Sequence, residues 1–134
     1  MHLVCIMLKK VNFYFLIILL VSWIGHSFAA SFDQKLNKIR GEINRDNLSK
    51  AMDLLKKIKI ENELQQDKIN ILFGDIYLKI NQIEKAEEFY QKNFFTSDES
   101  IEALTFIGLA EVRLAQGKIN DAIKYAEQSI KINS

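Results

Sequence analysis

Three six-residue blocks in this chain are near-copies of one another: Asp46-Asn47-Leu48-Ser49-Lys50-Ala51, Asn81-Gln82-Ile83-Glu84-Lys85-Ala86 and Gly117-Lys118-Ile119-Asn120-Asp121-Ala122. Their alanines fall 35 and then 36 residues apart. A motif returning at that interval marks helical units stacked one on the next, each needing a neighbour to bury its apolar face. Such stacks hold a partner rather than react with it.

From Ser31 onward Leu, Ile, Lys, Glu, Gln and Ala dominate and glycine is scarce, a helical composition. Apolar residues recur at three and four, as in Ile69, Leu72, Phe73, Ile76, Tyr77, Ile80 and in Leu104, Ile107, Leu109, Val112, Leu114. No segment alternates with period two. The pattern predicts six helices, near 32–44, 48–59, 65–80, 83–95, 98–115 and 118–132, paired antiparallel into units of about 32–62, 66–97 and 103–134. Arg45-Asp46-Asn47, Asn81-Gln82 and Gln116-Gly117-Lys118 read as the tight turns inside the pairs. Gly117 can end its helix in a left-handed conformation, and Asn81 can do so less cheaply. Thr96 or Ser97 is positioned to cap the fifth helix. Phe94 and Phe95 should end the fourth, as core between units or as a contact for a partner.

The first thirty residues read differently. Lys9 and Lys10 precede an uncharged apolar run from Val11 to Ile24, then Gly25, Ser27, Ala29 and Ala30. Positive start, apolar middle and small-residue end make a secretory signal peptide over 1–29, with Ser27-Phe28-Ala29 placing small residues for a cut after Ala29. The alternative is an uncleaved membrane anchor, since the uncharged stretch is long enough to span a bilayer. Translation starts at Met1 or at Met7. The remaining domain, 30–134, is expected in the periplasm, or held there by an inner-membrane anchor.

Removing the leader removes His2, His26, Cys5 and Trp23, leaving no histidine, cysteine or proline. The balance becomes 16 basic against 17 acidic residues, without the basic excess that a nucleic-acid footprint needs. Catalysis would then need paired carboxylates or a depressed lysine. Glu61 with Glu63, Glu87 with Glu88 and Asp98 with Glu99 are neighbours that do not face each other on a helix. Asp75 and Lys79, at i and i+4, suit a weak exposed ion pair. Gly41, Gly74, Gly108 and Gly117 are too dispersed for a phosphate loop, and no metal-ligand spacing occurs. The chain is expected to be no enzyme and to use no cofactor or metal.

In the second unit Phe73-Gly74 is followed by Tyr77, Ala86 and Tyr90; in the third Phe106 and Leu109-Ala110 are followed by Ala122 and Ser129. Large-then-small on one helix and small on the next let two backbones approach while an aromatic fills the space beside them. These residues resemble the tetratricopeptide repeat. The likeness is strongest in the second unit. The third has Arg113 in place of a tyrosine and Ala126 in place of an aromatic. The first retains Ala51 and Leu55, with Ile39 where glycine is usual; Asn93 stands for a common alanine.

The resemblance implies an all-α, right-handed solenoid of about three helix pairs with a groove lined by the first helix of each pair. By slot, the lining would be Leu36, Arg40, Ile43 and Asn44, then Lys68, Ile71, Asp75, Leu78 and Lys79, then Leu104, Ile107, Glu111 and Leu114. Ile71 and Asp75 occupy two slots by which some relatives clamp a terminal carboxylate, which disfavours that use. The implied function is a non-enzymatic protein-binding adaptor or scaffold of a bacterial cell envelope, holding a partly apolar peptide or helix. Two other readings stand beside it: a membrane-anchored assembly subunit, and the front piece of a longer repeat protein or enzyme, because no extra solvating helix follows the last pair. Ile123, Ile130 and Ile132 on that pair would then be covered by another chain, or by self-association.

Overall fold

The computed structural model describes residues 31–132; the leader, its cut site and the apolar span lie outside them. Compact units divide the chain between Lys38 and Ile39. In the first, residues 31–38 are helical and bury Phe32 and Leu36.

Residues 31–44 are helical (α1, of which 39–44 belong to the second unit). Then come α2 (Leu48–Lys56), α3 (Glu63–Lys79), α4 (Ile83–Gln91), α5 (Glu99–Ala115) and α6 (Ile119–Ile132). Among the described residues there is no strand, and no helix is long and apolar enough to cross a membrane. α3 packs on α4 and α5, and α5 on α6, so successive pairs stack into an all-α helical repeat.

The repeated blocks are turns of one backbone design. Asp46, Asn81 and Gly117 all have left-handed backbones, with φ of 59°, 59° and 74°. Each donates its N–H three residues back, to Ile43, Leu78 and Leu114, while the next residue donates five back, to Glu42, Tyr77 and Arg113. This pair of bonds satisfies the orphan carbonyls at a helix end. The carbonyls of Asn47, Gln82 and Lys118 then accept from the N–H groups of Ala51, Ala86 and Ala122, opening the return helices. All three alanines are buried. At the first turn Glu42, itself buried, accepts from Asn47, Lys50 and Arg45.

Two helices stop short of the sequence expectation. α2 ends at Lys56 because Lys57 and Ile58 donate three residues back, to Leu54 and Leu55, tightening the last turn. α4 ends at Gln91, and the chain leaves it through three-residue turns at Asn93 and Phe94. The cap of α5 is Asp98, whose carboxylate accepts from the Ile101 N–H at 3.0 Å, not Thr96 or Ser97. α3 begins at Glu63, two residues earlier than expected, because the Asn62 side chain accepts from the Gln65 N–H at 2.9 Å.

Candidate functional site

Tyr90, on α4, is completely buried. Its ring is held between Gly74 of α3 and Gly108 of α5: a Cβ at either glycine would overlap the ring carbons. The hydroxyl passes between the helices and donates to Asp75 Oδ1 at 2.8 Å. Burial raises the Asp75 carboxyl above its usual range, against the lowering effect of the Tyr90 bond; Glu111 raises it further, and Arg40 and Lys79 oppose. The same burial, with the Asp75 charge beside it, pushes the Tyr90 phenol far above its ordinary value. Arg40 of α1, Asp75 of α3 and Glu111 of α5 therefore lie within electrostatic reach of one another.

Beside this polar centre runs the face of α5. Leu104, Ile107 and Leu114 are 38%, 45% and 56% exposed, and with Glu111 they recur at three, four and three along one side. Arg40, Asn44 and Lys79 are exposed; Lys68, Asp75 and Leu78 are half-buried. Ile43 and Ile71 are buried, so they form the wall behind the lining rather than the lining itself; Leu36 is buried in the first unit. Asp75 and Lys79 do not pair with each other. Lys79 reaches the first turn and donates to Asp46 at 2.9 Å, while Asp75 accepts from the Tyr90 hydroxyl.

The packing residues are arranged around the same ring. Gly74, Leu109, Ala110 and Ser129 are buried with the three alanines, while Phe73, Tyr77 and Phe106 are half-buried. Phe73 and Tyr77 stack on Phe89 with centroids 4.9 and 5.4 Å away, and Phe106 stacks on Tyr125 at 6.0 Å. Arg113 takes over the role of Tyr77 one unit later. Its guanidinium lies 5.7 Å from the Tyr125 ring, and it makes two bonds to the Glu87 carboxylate on α4, at 2.6 and 2.8 Å. The Arg113 bonds lower the Glu87 carboxyl.

Asn93 is buried for a polar reason. Its amide donates to the Asp67 carbonyl at 2.9 Å and accepts from Asn70 at 2.8 Å, and Asn70 accepts from Gln66. Residue-type matching missed Gly108, Phe89 and this ladder. For Phe89 and Tyr125 a signal existed, their 36-residue spacing. Gly108 contacts a ring from the preceding unit, so matching slots within a unit could not find it. The acidic neighbours are likewise structural: Glu87 is held by Arg113, and Asp98 caps α5. Among the described residues no group of acids, histidines or cysteines is arranged to hold a metal.

This hairpin, small residues on two helices closed by a buried aromatic, is what the comparison with families finds. Residues 67–92 match the tetratricopeptide repeat model. No curated protein and no solved structure matches the chain. The matched tetratricopeptide segment runs from Asp67 on α3 to Lys92 just beyond α4, and contains Gly74, Asp75, Ala86 and Tyr90. Tetratricopeptide repeats generally mediate protein–protein interaction and are typically not enzymes.

Proposed function

We propose that the protein is an exported, non-enzymatic adaptor of a bacterial cell envelope, binding a peptide or helix of a partner protein along α5 and α3. The observation that carries this reading is the exposed row Leu104, Ile107 and Leu114 around Glu111. Covering the open parts of three such side chains contributes about 3 kcal/mol gross. That is too little alone against the cost of association, so polar contacts at Arg40, Asp75 and Glu111 would set register and affinity. The test is a photo-crosslinking residue at position 107 in cells. A discrete adduct from the envelope fraction, lost on Leu104→Glu or Leu114→Glu, supports the groove; an adduct indifferent to both variants rejects it. N-terminal mass analysis beginning at Ala30 supports export with cleavage. An intact leader in the membrane fraction favours the anchored assembly subunit instead.

A second reading, self-association through the last pair, is favoured by α6. Ile119, Ile123 and Ile130 are 62%, 51% and 67% exposed, at i, i+4 and i+11 along one side. The corresponding positions of α4, one repeat earlier, include Ile83 and Glu87; Ile83 packs against the core, and Glu87 pairs with Arg113 of α5. A second copy would supply the missing cover. Sedimentation that depends on concentration, abolished by Ile123→Glu, supports this reading; a monomer at all concentrations ends it.

A further inference from the structure

Ile119, Ile123, Ala126 and Ile130 are all exposed along one side of α6, at successive steps of four, three and four residues. That is the spacing of a seam on which a second helix packs side by side. One repeat earlier, 36 residues back, the first three slots hold Ile83, Glu87 and Tyr90 of α4. There Tyr90 joins its pair to α5 by filling the space beside Gly108. Ala126 supplies no such ring, so α6 is not fitted to another glycine-bearing helix of that kind. It presents an aliphatic edge instead.

The steps of this edge read the same in both directions. When α6 lies antiparallel on another α6, with the twofold axis level with the Lys124–Tyr125 bond, Ile119 meets Ile130 and Ile123 meets Ala126. Each contact then recurs on the other side of the axis, as a twofold interface requires. A small residue faces a large one at the centre, which packs well. A parallel pair would set Ala126 against Ala126 and leave a gap in the middle of the seam. In the antiparallel pair Glu127 comes level with Ala122 of the second copy, between its Asn120 and Lys124 rather than beside its Glu127. The two helix dipoles also oppose each other. We propose that α6 pairs antiparallel with α6 of a second copy, in the register Ile119 to Ile130 and Ile123 to Ala126. This rests on the self-association reading above and gives that contact its direction and register.

The test is disulfide trapping of single-cysteine proteins in a Cys5→Ser background, where no other thiol remains. Ile119→Cys and Ile130→Cys, mixed in equal amounts under mild oxidation, should give a dimer whose bridge joins positions 119 and 130 by peptide mass mapping. Each protein alone should give about a tenth as much or less. In the proposed register its two sulfurs stand roughly 16 Å apart along the axis, beyond disulfide reach. Bridges that form as readily within each protein alone mean another arrangement and overturn the proposal. A dimer seen by sedimentation that the mixture fails to trap overturns it too, while leaving self-association standing. A monomer at all concentrations ends both.

Discussion

The Tyr90 hydroxyl donates to Asp75 Oδ1 at 2.8 Å, joining a fully buried ring on α4 to a half-buried acid of α3. Tyr90→Phe keeps the ring and leaves Asp75, largely withdrawn from water, without its donor. The expected cost is about 1–3 kcal/mol in urea unfolding at pH 7. A change below 0.5 kcal/mol would mean water replaces the donor freely.

Asp75 and Glu87 should respond to acid in opposite directions. Burial raises the folded-state carboxyl of Asp75 above its unfolded value, so its ionised form weighs against the fold at neutral pH. That penalty is relieved as pH falls through the folded value. Glu87 is lowered, first by its bonds from Arg113; its contribution is present above the unfolded value and is lost as pH falls through the folded one. Asp75→Asn should therefore help more at pH 7 than at pH 4, and Glu87→Gln should hurt more at pH 7 than at pH 4. Urea unfolding at the two pH values checks both signs.

Gly74→Ala and Gly108→Ala should each destabilise, although alanine is the better helix former by about 1 kcal/mol. The added Cβ would press on the Tyr90 ring, which both glycines approach closely and whose hydroxyl is bound. Overpacking of this kind costs about 1–3 kcal/mol and outweighs the propensity gain. In a Tyr90→Leu background the sign should reverse for Gly108→Ala. Thermal melts of the four variants decide it.

Asn93→Ala should destabilise by about 1–3 kcal/mol, because Asn70 and the Asp67 carbonyl lose buried partners. Adding Asn70→Leu should recover part of the loss. If the single variant proves neutral, the ladder contributes nothing.

Much of this architecture is legible in the residues because local rules produce it. The blocks ending in Ala51, Ala86 and Ala122 carry a left-handed residue and a small packing residue at fixed separation, and both have a direct signature in residue type. Helix ends were less legible at α2 and α4, where three-residue turns and the pull of Asn93 on α3 override propensity. The groove was read by slot, and the slots do not register depth: Ile43 and Ile71 carry the right side chains and lie too far in.

Tyr90 also determines how the stack comes apart. In a row of repeats the end units fray first when the joints between neighbours are soft. Here, lifting α5 would strip one wall from a ring rooted in the preceding pair and open its hydroxyl bond to water. The second and third pairs should therefore open as a single cooperative block. A partner lying across α3 and α5 meets a surface already rigid before contact, so little of its binding energy is spent on ordering the receptor.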